Sequence, residues 1–109
     1  MFIDFDKIET STIPNFYNGE KNTVAQMYVD DLNRIMRGTL EPEASIGSHK
    51  HETGSEIIFI LQGTGKALCN DEQEILSPGS CHYCPKGNSH SLINDGVEDL
   101  IFFAVVAQQ

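Results

Sequence analysis

From Thr23 to Ala107 no run of ten residues carries a helical period; short β-favouring runs alternate instead with Gly, Pro, Asn and Asp. This punctuation constrains the fold more than any other feature. It predicts strands over Val24–Val29, Leu32–Leu40, Ser45–His51, Glu56–Gln62, Lys66–Cys69, Gln73–Leu76, Ser80–Cys84, Ser89–Asn94 and Asp99–Ala107. Turn signals such as Asp30-Asp31, Gly63-Thr64-Gly65, Ser77-Pro78-Gly79 and Asn94-Asp95-Gly96 separate them. Many short strands imply an all-β antiparallel sandwich or closed barrel. Closure also removes the edges that so many strands would otherwise expose.

With 109 residues, the chain suits one domain with one core. Residues 1–23 read as an N-terminal arm packing on a barrel of residues 24–109. Phe2, Ile3, Phe5 and Ile8 can pack on the body, and nothing in the arm looks catalytic. Two strands, Ile57–Leu61 and Leu100–Ala107, are apolar on both faces. One face can fill the barrel, and the other needs cover from the arm, from a second sheet or from a second copy of the chain. A homodimer is the sharper of these expectations.

The net charge of −9 repels a phosphate backbone, and no Lys/Arg cluster offsets it. Nucleic acid and anionic membrane are therefore excluded as expected partners. The longest apolar run, Leu100–Ala107, is far short of a membrane span. The acidic start, Met1-Phe2-Ile3-Asp4-Phe5-Asp6, does not read as a signal peptide, so a cytoplasmic protein is expected. Three cysteines, Cys69, Cys81 and Cys84, are too few and too odd in number for a disulfide framework, and fit a reducing compartment. Cys81-His82-Tyr83-Cys84 is formally C-x-x-C, but a spacing of three puts the thiols on opposite faces of a strand.

Chemistry concentrates in His49-Lys50-His51-Glu52-Thr53-Gly54-Ser55-Glu56. His49 and His51, two apart on a strand, point to one face. A carboxylate, Glu56, follows five residues on, and the isolated His90 completes the group. Neutral imidazoles and a carboxylate at one point suit a divalent transition metal. Gly63-Thr64-Gly65 lacks the third glycine and the helix of a dinucleotide loop, and no nucleophile motif is present.

The spacings are His49-x-His51-x4-Glu56-x6-Gly63 and Gly79-x5-Pro85-x-Gly87-x2-His90-x3-Asn94, with residues 64–78 between them. They resemble the two signature motifs of the cupin superfamily. The first departs from the family at its start, where Glu43 stands in place of the usual glycine and Gly47 nearby can supply flexibility. The resemblance spans residues 43–94 and, with the flanking strands, most of the chain. It implies a single-domain double-stranded β-helix (jelly-roll) barrel with one divalent metal ion (Mn, Fe, Ni, Co or Zn) in its mouth. It also implies that His49, His51, Glu56 and His90 are the metal ligands. Gly54 is then the hinge of the loop that brings Glu56 back to the histidines. His90, Leu92 and Asn94 share a face, which would place Asn94 in the same channel.

Four protein ligands leave positions open on a six-coordinate ion, which points to a small-molecule ligand in the barrel. The expected function is a small metalloenzyme acting on an oxygen-rich small molecule, of isomerase, decarboxylase, lyase or dioxygenase type. The alternative is a non-catalytic small-molecule or sugar-binding module. The two differ in whether an acid or base stands beside the metal, for which Tyr83, Tyr28 and His82 are the catalytic candidates. Gln62, Met36 and Arg34 are further candidates for the pocket wall.

Overall fold

The computed structural model describes all 109 residues. Its ten strands are β1 (Ser11–Pro14), β2 (Asn22–Val29), β3 (Asn33–Leu40), β4 (Ser45–Lys50), β5 (Gly54–Gln62), β6 (Gly65–Cys69), β7 (Glu72–Leu76), β8 (Cys81–Cys84), β9 (Ser89–Ile93) and β10 (Leu100–Gln108). Two short 3-10 turns, Phe5–Lys7 and Phe16–Asn18, are the only helical segments. Nine of the ten strands match the predicted runs to within a few residues; the tenth, β1, is a short strand within residues 1–23, a segment that can hold a short strand and a helical turn. The one-residue shift at the start of β3 has a local cause. The Asp30 carboxylate accepts hydrogen bonds from the Leu32 and Asn33 amides, so Leu32 stays in the turn.

The strands form a six-stranded sheet, β1-β2-β3-β10-β5-β8, and a four-stranded sheet, β4-β9-β6-β7. All pairings are antiparallel. Consecutive strands β4 and β5 lie in different sheets, as do β9 and β10, which gives the jelly-roll its double winding. The core between the sheets is built from inward residues of both, with Met36, Leu40, Ile58, Ile60, Leu92 and Phe102 as its largest apolar members. Gly38 lies opposite Phe102 on β10, and a Cβ there would sit 2.4 Å from the Phe102 ring. The missing side chain is the space the ring fills.

The arm is tied to the barrel at several points. β1 pairs with β2. Phe5 packs on the outward Phe103 of β10, with ring centroids 5.2 Å apart. Arg37 lies over the Phe5 ring and forms a 2.8 Å ion pair with Asp6. This cover stops at β10. On β5 the outward Ile57, Phe59 and Leu61 stay exposed, and Tyr83 of β8, the partner of Ile57, extends the strip.

Two glycines act differently from the sequence expectation. Gly47 was expected to lend flexibility, but a Cβ there would lie 2.0 Å from the Tyr17 carbonyl oxygen. Its role is to let the arm approach β4. Gly54 was expected as a hinge, but it lies within β5, where a Cβ would sit 2.2 Å from the Ala107 oxygen of the neighbouring strand. Glu43 has φ 73°, a left-handed conformation that costs a residue other than glycine some strain.

Candidate metal centre

The four predicted ligands meet at one point between the sheets. His49 on β4 and His90 on β9 are direct cross-strand partners. His51 follows one residue after β4, and Glu56 faces them from β5 of the other sheet. Reaching this arrangement requires an irregularity. Ile46 pairs with Leu92 and His49 with His90, so three residues advance on β4 against two on β9. That β-bulge lets Ile46 and His49, which a regular strand would put on opposite faces, both point inward.

The donor atoms all lie within 4.8 Å of one another. His51 Nε2 is 3.0 Å from His90 Nε2 and 3.0 Å from Glu56 Oε1. His90 Nε2 is 3.2 Å from His49 Nε2 and 2.9 Å from Glu56 Oε1. His49 Nε2 and Glu56 Oε1 are 3.9 Å apart. Donors at right angles on a six-coordinate ion with ~2.1 Å bonds are roughly 3.0 Å apart, and opposed donors roughly 4.2 Å. The cluster fits a divalent ion at its centre.

Proton placement gives the same answer. His49 Nδ1 is 2.8 Å from the Gly47 carbonyl oxygen, which can only accept. Neutral His49 therefore carries its proton on Nδ1 and aims a bare Nε2 at the Glu56 carboxylate and the other imidazoles. Lone pairs facing one another in a buried site need a cation between them. Burial works to raise the Glu56 carboxyl, but the surrounding His49, His51 and His90 imidazoles outweigh it and hold the group well below the usual carboxylate range. Burial pushes the His90 imidazole down, against the pull of Glu56. A carboxyl held ionised beside a His90 imidazole whose protonation is disfavoured suits a metal, which binds the deprotonated forms.

His82 lies next to the cluster rather than in it. Its ring stacks on His90 at 5.2 Å, its Nε2 is 2.9 Å from His90 Nδ1, and its Nδ1 is 2.6 Å from Glu74 Oε1. Tyr83, on the opposite face of β8, is 53% exposed on the outer surface. Tyr28 spends its hydroxyl on Asp30. Of the other wall candidates, Met36 is in the core and Gln62 is exposed. Asn94 is fully buried and not in the channel: its amide donates to the Leu40 and Glu98 carbonyls and accepts from the Gly96 amide, fixing a turn. Burial, with Cys69 adding to it, pushes the Cys84 thiol up to about 12, so it is no nucleophile at neutral pH.

One residue of the arm, which the sequence did not single out, reaches the cluster. Tyr17 lies flat on His49, with centroids 3.9 Å apart and planes 13° from parallel. Phe16 stacks on Tyr17 in turn, and the Arg34 guanidinium lies 6.0 Å from the Phe16 centroid. Beside this column a cavity of about 280 Å³ opens on His51, with Tyr17, Arg34, Lys50 and Glu52 in its wall. Asp30 also borders it, but its carboxylate is occupied by backbone amides, and Arg34 forms no ion pair.

A barrel of this topology with this ligand group matches a known family. Residues 36–106 match the model of the cupin domain family. The chain belongs to the cupin family. Over 70 residues it is 40% identical to an oxalate-binding protein of Thermotoga maritima, covering 64% of this chain and 58% of that protein. The chain thus matches less than two thirds of the length of its curated relatives. A crystal structure of a predicted oxalate decarboxylase, also from Thermotoga maritima, superimposes over the full length of both chains with a TM-score of 0.94 and 30% identity. The cupin domain of Cnp3 from Schizosaccharomyces pombe has a TM-score of 0.82 over all of this chain and 74% of that one; at 13% identity this likeness concerns the fold alone. No helix of this cupin is long and apolar enough to cross a membrane.

Proposed function

We propose that this cupin holds one divalent transition metal ion on His49, His51, Glu56 and His90 and uses it to bind a small carboxylate of the oxalate type. The observation that carries the reading is the convergence of four donors, two of them buried, beside a cavity walled by Arg34 and Lys50. The ion supplies Lewis-acid attraction for carboxylate oxygens. The protein's own residues do the rest. Arg34 offers a planar fork to a carboxylate, Lys50 adds positive charge, and Tyr17 closes one side. The names of the Thermotoga maritima relatives support the choice of ligand.

Binding is favoured over turnover because none of Tyr28, Tyr83 and His82 lines the cavity: the Tyr28 hydroxyl is held by Asp30, Tyr83 is on the outer surface and His82 is buried against His90. Turnover of decarboxylase type keeps one supporting observation: the Tyr17 ring borders both His49 and the cavity. Calorimetric titration of oxalate into protein loaded with Mn, Co or Zn tests the first reading, and carbon dioxide release from oxalate tests the second. Oxalate binding that is equally strong with and without metal would sink the first.

The same reading takes residues 1–23 as an arm that serves the 24–109 barrel, through Phe5 on one face and Tyr17 at the metal centre. It takes the strip of Ile57, Phe59, Leu61 and Tyr83 as the contact of a homodimer, since the arm leaves it bare. Three free thiols support a cytoplasmic setting.

A further inference from the structure

We propose that Glu74 and His82 form an outer chain that fixes the tautomer and orientation of His90, making both positioning residues for the metal centre. The inference rests on the metal-site reading for its consequence, but not for its geometry. Glu74 stands on β7 and His82 on β8, the two edge strands of opposite sheets, and His90 stands on β9. The hydrogen bonds Glu74–His82 and His82–His90 thus run across the gap between the sheets and end at the ligand.

Direction in this chain is set by its outer end. An ionised carboxylate can only accept, so His82 Nδ1–H donates to Glu74 Oε1 at 2.6 Å. When His82 is neutral its Nε2 is bare and accepts from His90 Nδ1–H at 2.9 Å. His90 is left with its lone pair on Nε2, the atom 2.9 Å from Glu56 Oε1 and 3.2 Å from His49 Nε2. The backbone oxygen of Gly47 does the same for His49. A metal-binding imidazole whose other nitrogen is held in this way is pre-set in tautomer and ring angle, and its basicity is raised. The His82 side chain has no exposed surface, so water does not compete for either bond, whereas Glu74 is 43% exposed at the outer end.

The test titrates Co(II) into the full chain against a competing chelator and records the visible d–d spectrum. His82→Phe, which keeps the bulk and removes both nitrogens, should weaken Co(II) binding about 10- to 100-fold and shift the spectrum. His82→Gln, whose amide oxygen can face His90 Nδ1, should recover most of the affinity. Glu74→Ala, at a half-exposed position the fold tolerates, should give a smaller loss in the same direction. Unchanged affinity and spectrum in both His82→Phe and Glu74→Ala would overturn the proposal. Long-range 15N–1H correlation spectra of the metal-free protein give an independent answer even if His82→Phe does not fold. They should show His90 protonated on Nδ1 and bare on Nε2; the reverse tautomer overturns the proposal. Absence of Co(II) binding by the unaltered chain would reject the metal reading alone, and the tautomer measurement would still decide this one.

Discussion

Tyr17 lies face to face with His49, a residue from the link between β1 and β2 stacked on a candidate ligand from β4. The contact is held at a cost, because Tyr17 has φ 52°, in the left-handed region, within a segment where Asn15, Asn18 and Lys21 do the same. Removing the ring should therefore be felt at the metal. Tyr17→Ala is expected to weaken metal binding several-fold and to lower stability by about 1 kcal/mol, the usual worth of an aromatic pair beyond its buried area. Tyr17→Phe keeps the stack and should match the unaltered chain in both chelator competition and melting. A Tyr17→Ala variant with unaltered metal affinity would show the stack to be incidental.

Metal should stabilise the fold through its ligands. At a free concentration one hundred times Kd, a ligand that binds only the native state adds about 2.7 kcal/mol. Melting curves with and without added metal should separate widely for the unaltered chain and coincide for His49→Ala. A metal-induced rise in Tm that survives in His49→Ala would place the ion elsewhere.

Acid should weaken the metal-free protein in two stages. Burial holds the folded-state pKa of His90 below the ordinary imidazole value. The unfolded chain then binds the proton first, so this contribution is full above about pH 6.5 and is lost as the pH falls below that value. For Glu56, burial pushes the carboxyl upward but the three histidines outweigh it and hold it low. Its contribution is full above the unfolded carboxyl value of about 4.3 and is lost as the pH falls further, through the folded value. Tm measured in chelator should therefore hold from pH 7.5 to about pH 6.5, fall below that value, and fall again below about pH 4.3. A metal-free protein more stable at pH 5 than at pH 7.5 would contradict this sign.

Gly47→Ala should be among the more damaging single-methyl additions. The new Cβ would meet the Tyr17 carbonyl at 2.0 Å, with the Gly19 amide 2.9 Å away, and both are backbone atoms that cannot swing aside. A loss of about 1–3 kcal/mol is expected, the usual cost of overpacking. Because the shift displaces Tyr17, metal affinity should drop as well. Urea unfolding with and without metal measures both effects.

The apolar strip on β5 should make a dimer in solution. Light scattering behind a sizing column should give about twice the 12.1 kDa chain mass at micromolar concentration. Phe59→Glu, on the outward face at 42% exposure, should return the mass to one chain without unfolding it. A monomer before the substitution would leave the strip as bare surface.

Much of the site was legible because its ligands lie in a local pattern. His49, His51 and Glu56 fall within eight residues, and the spacing Pro85-x-Gly87-x2-His90 marks the fourth. The strands were legible for a similar reason: turn residues and alternation act over a few positions, and no long helix competes with them. What escaped notice depends on approach between distant segments. Tyr17 is 32 positions before His49 (49 − 17), and nothing in Asn15-Phe16-Tyr17-Asn18 marks it as a neighbour of the metal. Glu74 sits in an ordinary polar edge strand, and only the position of β7 beside β8 directs it to His82. The roles of Gly47 and Gly54 were misread because a glycine that makes room for a passing chain looks, in sequence, like one that makes a turn.

By itself, the sequence determined which residues form strands, where those strands end and which side chains can hold a metal. These follow from alternation, turn chemistry and donor type, all properties of neighbouring residues. The tertiary structure brought the partners that orient His49 and His90, because these come from elsewhere in the chain: the Gly47 oxygen turned by a bulge for His49, and His82 across the sheets for His90. It also decided that Tyr17 of the N-terminal segment stacks on His49 and that the outward face of β5 is left exposed, since both depend on where a folded chain comes back upon itself.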